Sequence, residues 1–391
     1  MIIKENINSP IPYGRQTITE EDIAAVSDVL RGEFLTQGPK IAELEKAFSN
    51  YTGSEYGVAN SNGTAALHLS ALALDVKKGD NWITSPITFV ASANCIKYCG
   101  GNIYFADIDP VTYTLSIDAV KALLSSKPVG YFKGIIPVDF AGLPVDLEEF
   151  RKLADQYGCK IIEDACHAPG AQFLDSKGVW QSAGNGVYPD LSIFSFHPVK
   201  HIASGEGGMV TTNDKALYDK LITLRTHGIT RDTSLLQENH GGWYYEMQEL
   251  GYNYRLTDIQ AALALSQLSR ADKGIERRRQ IAQRYFEAFR NTEIHLPVIP
   301  DKFRHAYHLF VIQVSDRKGM YDYLRSQNIY CQVHYIPVHL MPYYKEQGFE
   351  KGDFQVAEAF YERCLSLPMY PALTEGEQQY VIDKILNYLG K

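Results

Sequence analysis

Two rhythms alternate along the first half of the chain. Apolar residues spaced three and four apart mark helices, short β-branched or aromatic runs mark strands, and Gly, Pro, Asn and Ser separate them. Thr19-Glu20-Glu21-Asp22 predicts a capped helix start, with the helix running to Gly32 and Ile23, Val26 and Leu30 on its inward face. A second helix follows Gly38-Pro39 with Ile41, Leu44 and Phe48 on one side. Strands near Tyr56–Asn60, Trp82–Ser85 and Ile103–Ala106 then alternate with helices opening at Gly63, Phe89 and Ile117. Gly134–Val138 and Lys160–Glu163 predict buried strands on either side of a helix at Asp146–Tyr157. Leu191–Phe196 and Met209–Thr212 predict two more, closed by a helix from Asp214 to Arg225. This alternation is the pattern of a mainly parallel sheet wrapped by helices.

The rhythm breaks at His227–Tyr254, a charged, loop-like stretch containing His240-Gly241-Gly242-Trp243. Past Arg255, helices at Thr257–Leu268 and Ile275–Arg290 lead to a proline-rich break, Leu296-Pro297-Val298-Ile299-Pro300. A strand (Ala306–Val314), a helix (Met320–Gln327), a strand (Tyr330–Val333) and two final helices follow. A chain of 391 residues suits two domains. The pattern divides it into a large parallel-sheet domain, residues 1–255, and a smaller C-terminal α/β domain, residues 256–391.

Composition narrows the function classes. The net charge of −8, with both signs interspersed, repels nucleic acid and argues against a phosphate-tracking role. No run approaches the length of a membrane span, and the start, MIIKENINSP, lacks the apolar core of a signal peptide. Cys95, Cys99, Cys159, Cys166, Cys331 and Cys364 show no CxxC spacing and read as reduced thiols of a cytoplasmic protein, Cys95 and Cys99 on a core helix face. His305 and His308 lack an acid to complete a ligand set, so no metal is expected. Arg277-Arg278-Arg279 reads as a solvated helix face.

Three segments carry chemistry. Ser61-Asn62-Gly63-Thr64-Ala65 follows a strand and opens a helix, which leaves free N–H groups aimed at one point, fit for a phosphate. The same residues also read as an ordinary cap. Asp164, after Ile161-Ile162-Glu163, lies at the carboxyl end of a buried strand, where open α/β sheets keep their ligands. It can pair with a protonated pyridine nitrogen, or merely cap the next turn. Lys200 follows the strand that delivers Ser195 and precedes Gly205-Glu206-Gly207-Gly208. A desolvated lysine there can form a Schiff base; a surface lysine is the alternative.

These motifs come in order with others: SNGTAAL, SPITFVASANC, EDACHAPGA, SFHPVKHIASGEGG and GYNYRLTDIQAALALSQL. Over essentially its full length the chain resembles the sugar-nucleotide aminotransferases of the DegT type. The resemblance implies the type-I fold of pyridoxal-phosphate (PLP) enzymes, with Lys200 as the Schiff-base lysine and Asp164 on the ring nitrogen. It also implies that Gly63, Thr64, Ala65 and Ser195 hold the cofactor phosphate, that Phe89 stacks on the ring, and that His167 lies near the ring oxygen. Asn253 would reach the neighbouring site across a homodimer interface. Dehydrating relatives carry histidine where this chain carries Lys200, which implies transamination from L-glutamate.

Tyr13, Glu33-Phe34-Leu35-Thr36 and Gln332-Val333-His334-Tyr335 resemble the nucleotide-sugar segments of one branch, with Gly63, Ser195 and Asn253 adding to the substrate site. That branch aminates a UDP-linked 4-keto-6-deoxy-N-acetylhexosamine to the UDP-4-amino-4,6-dideoxy-N-acetyl-β-L-altrosamine of pseudaminic acid biosynthesis. Other UDP- or dTDP-linked 4-keto-6-deoxy sugars are the alternative substrates. A non-catalytic PLP or sugar-nucleotide sensor is the alternative class; the PLP-domain motifs begin too near the N-terminus to leave room for a DNA-binding module.

Overall fold

The computed structural model describes residues 9–391, so most of the stretch read as lacking a signal peptide lies outside the described residues. Seven strands form the central sheet: β1 (Tyr56–Asn60), β2 (Asn81–Thr84), β3 (Asn102–Phe105), β4 (Phe132–Ile136), β5 (Lys160–Asp164), β6 (Leu191–Ser195) and β7 (Gly208–Thr212). Their order is β1-β7-β6-β5-β4-β2-β3, and only β7 runs against its neighbours. Ile161, Ile162, Ile193, Phe194, Met209 and Val210 are wholly buried, as expected of strands covered by helices on both faces. The carboxyl ends of β1, β5 and β6 therefore meet at one edge, which brings Asn60, Asp164 and Ser195 together.

Helices α1 (Glu20–Arg31), α2 (Pro39–Thr52), α3 (Gly63–Ala73) and α4 (Ala91–Tyr98) follow the predicted order, α4 two residues later than its predicted opening at Phe89. The inward face of α1 differs from expectation. Asp22 and Val29 are buried, whereas Ile23 and Leu30 stay 49% and 59% exposed. The helix is turned by a polar anchor: Asp22 accepts from Arg270 Nη1 at 2.7 Å and from Gln267 Nε2 at 2.8 Å. Of the capping box at Thr19, the Asp22 half forms, its Oδ2 accepting from Thr19 N–H at 3.0 Å.

The C-terminal part builds a second core around Tyr285, Phe289, Phe310, Ile312, Leu365 and Leu367. Phe310–Gln313 pairs antiparallel with Cys364–Leu367, a strand that the sequence pattern did not reveal. The predicted strand Ala306–Val314 is half loop. Ala306 N–H and Leu309 N–H donate to the Gly142 and Ala141 carbonyls at 2.8 and 3.1 Å, tying this stretch to the large sheet. The predicted strand Tyr330–Val333 also shortens. Ile329–Tyr330 pairs parallel to Ile11–Pro12, so an N-terminal segment joins the C-terminal core, and Gln332 makes an isolated antiparallel bridge to Ser366.

Arg278 is not solvated, contrary to the basic-run reading. It is 2% exposed and donates through Nη1 to the Met369, Tyr307 and His308 carbonyls at 2.7, 3.2 and 3.3 Å. The reason is periodicity: Ile275, Arg278, Ile281 and Tyr285 share the buried stripe of Ala271–Phe289. Three carbonyl acceptors make burial of the guanidinium tolerable.

Candidate active site

A cavity of about 720 Å³ opens at the carboxyl edge of the sheet, lined among others by Gly63, Thr64, Phe89, Asp164, Lys200 and Tyr335. Its size is that of a small-molecule site.

One end is an anion cradle. Asn62 caps α3 by accepting from Ala65 N–H at 2.8 Å. The N–H groups of Gly63 and Thr64 have no partner among the described residues, and they head the helix dipole. Ala65 lines the cavity, but its N–H is already taken, so it contributes contact and not a donor. A Cβ on Gly63 would fall 2.9 Å from Ser195 Cβ, so glycine lets the serine hydroxyl close the cradle. A Cβ on Gly208 would fall 2.6 Å from the Asn62 carbonyl oxygen, so the antiparallel β7 can lie against the same turn only with glycine there.

Asp164 ends β5 and is 6% exposed. Its Oδ1 accepts from Cys166 N–H at 3.2 Å and its Oδ2 from Ser92 Oγ at 2.6 Å. Three residues on, His167 Nδ1 accepts from Ala141 N–H at 3.2 Å. That bond places the ring proton on Nε2, which donates to Tyr335 Oη at 3.1 Å. Burial, reinforced by the nearby Lys200 charge, pushes His167 well below its ordinary value and keeps it neutral.

Lys200 sits in the turn closed by its N–H on the His197 carbonyl at 2.8 Å. Burial lowers its pKa, with Cys166 and Asp164 pulling the other way. Among the described residues no carboxylate comes within ion-pair distance of its ammonium. A cluster of histidines stands around it. His308 lies tilted against His167 at 4.3 Å between ring centroids, and His334 Nδ1 lies 2.8 Å from Ser366 Oγ. His334 is lowered to about 3 by burial and then by Lys200. His308, set aside in the sequence as no metal ligand, proves to line the cavity, with Nδ1 buried and unpartnered.

The structure gathers most of the predicted residues. Tyr13, Gly63, Thr64, Ala65, Phe89, Asp164, His167, Ser195, Lys200, His334 and Tyr335 all line the cavity. Others are not brought to it within one chain. Glu33, Phe34, Leu35 and Thr36 lie exposed on a loop, where Thr36 bridges Thr257 and the Leu35 carbonyl accepts from Asp258 N–H at 3.0 Å. Asn253 is exposed and paired with Thr226. Gln332 is exposed, and Val333 packs beside Tyr13 and Tyr335 instead of facing the cavity. Thr88 and Ser92 were missed; their only sequence signal is two hydroxyls four residues apart inside SPITFVASANC.

A buried lysine, a carboxylate at a strand end and unpaired helix-start N–H groups meet on this sheet, and the chain is an enzyme of the PLP-dependent aminotransferase class. The chain belongs to the DegT/DnrJ/EryC1/StrS aminotransferase family, whose model matches residues 16–386. This is a family of sugar aminotransferases that use PLP. The spore coat polysaccharide biosynthesis protein SpsC of Bacillus subtilis is 38% identical over 387 residues, 97% of each chain. The PLP-form of the putative sugar aminotransferase Spr1654 of Streptococcus pneumoniae superposes with a TM-score of 0.87 at 29% identity, covering 97% of this chain and 99% of that one. Helicobacter pylori PseC, an aminotransferase involved in the biosynthesis of pseudaminic acid, gives a TM-score of 0.87 at 29% identity, covering 98% and 100%.

Proposed function

We propose that this aminotransferase moves the amino group of L-glutamate to C4 of a UDP-linked 4-keto-6-deoxy-N-acetylhexosamine, as a step of pseudaminic acid biosynthesis. The observation that carries this reading is the convergence of Lys200, Asp164 and the Gly63–Thr64 donors on one cavity, with room beside them. PLP supplies, when bound, an aldehyde for amines to condense with and a ring that draws electrons from the bond being broken.

Each residue then has a task. Gly63 and Thr64 N–H with Ser195 Oγ bind the phosphate, with Ala65 in contact. Phe89 covers one ring face, and Asp164 holds the ring nitrogen protonated. His167, fixed as the Nε2–H tautomer with its proton on Tyr335 Oη, lies near the ring oxygen. Lys200 Nζ would hold the cofactor through its aldehyde and, as a free amine, would take up and return the proton at the donor's α-carbon. Its lowered pKa keeps more of the amine neutral, as a base must be. Tyr13, His334 and Tyr335 contribute the sugar-facing wall.

A homodimer completes the site in this reading. Asn253, Glu33–Thr36 and Gln332 lie off their own cavity, while Leu30, Phe34, Leu35, Trp243 and Leu250 stay between 50% and 75% exposed and would be available to a partner. These segments would serve the partner's cavity. Residues 1–255 and 256–391 would act as two domains closing on the cavity, and the six free cysteines fit a cytoplasmic enzyme. Mixing inactive Lys200→Ala and Asn253→Ala protomers should then restore activity, since one site of each heterodimer draws Lys200 from one chain and Asn253 from the other. No recovery in proven heterodimers would refute shared sites.

Support for the pseudaminic branch comes from the PseC likeness over the whole chain. The 38% identity to SpsC, a spore coat polysaccharide biosynthesis protein, keeps a second reading beside it, another UDP- or dTDP-linked 4-keto-6-deoxy sugar. Mass spectrometry of products from a panel of such sugars with L-glutamate separates them. The UDP-N-acetylhexosamine substrate should gain the amine and release 2-oxoglutarate. The free keto sugar should be poorer in kcat as well as KM, because nucleotide binding orients the keto carbon. Preference for a dTDP sugar would overturn the first reading, and equal use of the free sugar would overturn both.

A further inference from the structure

The acid of this site has a support that neither the motifs nor the likeness to relatives assigns. Ser92, in the first turn of α4, is wholly buried, and Thr88, just before that helix, is 2% exposed. Ser92 Oγ lies 2.6 Å from Asp164 Oδ2, 2.7 Å from Thr88 Oγ1 and 3.3 Å from the Phe89 carbonyl oxygen.

A hydroxyl has one proton and two acceptor lone pairs. The short contact to Asp164 takes the Ser92 proton, since a carboxylate has none to give and a hydroxyl oxygen facing it without a proton would be repelled. Ser92 must then accept from Thr88, so the donors run in one direction: Thr88 to Ser92 to Asp164. Hydrogen bonds to an ionised acceptor are about twice as strong as neutral ones, and each donor in such a chain polarises the next.

We propose that Ser92 and Thr88 form a two-hydroxyl relay that positions the Asp164 carboxylate and holds it charged against the cofactor ring. Both are positioning residues, acting through Asp164. Phe89 stands between them in sequence, so one turn of chain, residues 88–92, fixes both the covered face of the ring and the partner of its nitrogen. The Asp164 main chain is pinned as well, its N–H on the Pro137 carbonyl at 2.9 Å and its carbonyl accepting from Asp139 N–H at 3.0 Å. The hydroxyls supply the last freedom to be fixed, rotation of the carboxylate.

The inference rests on the proposed role of Asp164, and the experiment separates the two. Wild type, Ser92→Ala, Thr88→Val, the double variant and Asp164→Asn are loaded with PLP. Melting temperature without cofactor, PLP dissociation constant by equilibrium dialysis, the pH at which the visible band changes form, and the single-turnover rate with L-glutamate are measured. Ser92→Ala should melt with wild type, react about ten- to a hundredfold more slowly, the worth of one hydrogen bond to a charged group, and lose only a little PLP affinity. Its band transition should move by about half a pH unit or more, which a purely structural role would not do. Thr88→Val should lose about two- to fivefold alone and nothing further in the Ser92→Ala background, the non-additivity of a relay.

Unchanged affinity, rate and spectrum in Ser92→Ala, or additive losses in the double variant, would overturn the relay. Should Ser92→Ala fail to fold, Thr88→Val decides by its own affinity and band shift. Near-normal turnover by Asp164→Asn would instead sink the role of Asp164 itself.

Discussion

Lys200→Ala is expected to fold normally and to lose turnover by about four orders of magnitude, as when the proton-transferring group of an enzyme is removed. The turn that carries Lys200 is held by its main chain, through its N–H on the His197 carbonyl and Ser204 N–H on the Phe196 carbonyl at 2.9 Å. Alanine leaves both bonds in place, and the side chain removed has no ion-pair partner to orphan. Thermal denaturation of the cofactor-free variant should therefore match wild type within a few degrees. Lys200→Arg tests whether charge alone suffices. A guanidinium stays protonated and cannot condense with an aldehyde, so this variant should be as inactive as alanine. Borohydride reduction of loaded wild type followed by peptide mapping should place the cofactor on Lys200, and an adduct on any other lysine would defeat the assignment. Because burial lowers the Lys200 pKa, labelling of the cofactor-free protein by an amine reagent should reach half its maximum at lower pH for Lys200 than for the exposed Lys318, whose pKa its partner Asp322 raises.

Strands covered on both faces were legible in the sequence because they are short apolar runs bracketed by turn residues; β1 matches its prediction and β5 and β6 differ by one residue. Cys364–Leu367 was hidden for the opposite reason. It follows the helix Gln355–Arg363 with no intervening turn residue, and only its pairing with Phe310–Gln313 makes it a strand. Stripe and partner also conflict on α1, where spacing turns Ile23 and Leu30 inward but the Asp22–Arg270 pair sets the rotation. Arg278 fails differently: its place three residues from Ile275 and Ile281 was visible, and the basic run around it argued the wrong way. In the site, Asp164 ends a strand and Lys200 and the Gly63 turn closely follow one, so all three could be placed from local pattern. Ser92 could not, because its partner Asp164 lies 72 residues away and only the sheet order brings them together. Glu33–Thr36 and Asn253 were placed by resemblance alone, and among the described residues they do not line the cavity.

Asp164→Asn should reduce the glutamate half-reaction about a hundredfold or more, which corresponds to about 3 kcal/mol of lost transition-state stabilisation. Asparagine keeps the shape of the aspartate and can still meet Cys166 N–H and Ser92 Oγ, so folding should survive and the loss is electrostatic. A carboxylate facing the ring nitrogen favours its protonated form, and that charge draws electrons from the bond at the α-carbon. An amide offers no net charge for the nitrogen to pair with. PLP should still bind, because the Gly63–Thr64 donors and Ser195 hold the phosphate independently of Asp164. The expected pattern is a large fall in single-turnover rate with a small change in PLP dissociation constant. A cofactor analogue methylated at the ring nitrogen carries its positive charge permanently. Loaded into Asp164→Ala, which leaves room for the methyl group, it should recover part of the rate lost with ordinary PLP. No recovery in a variant shown to bind the analogue would mean that Asp164 acts by shaping the cavity and not by charge.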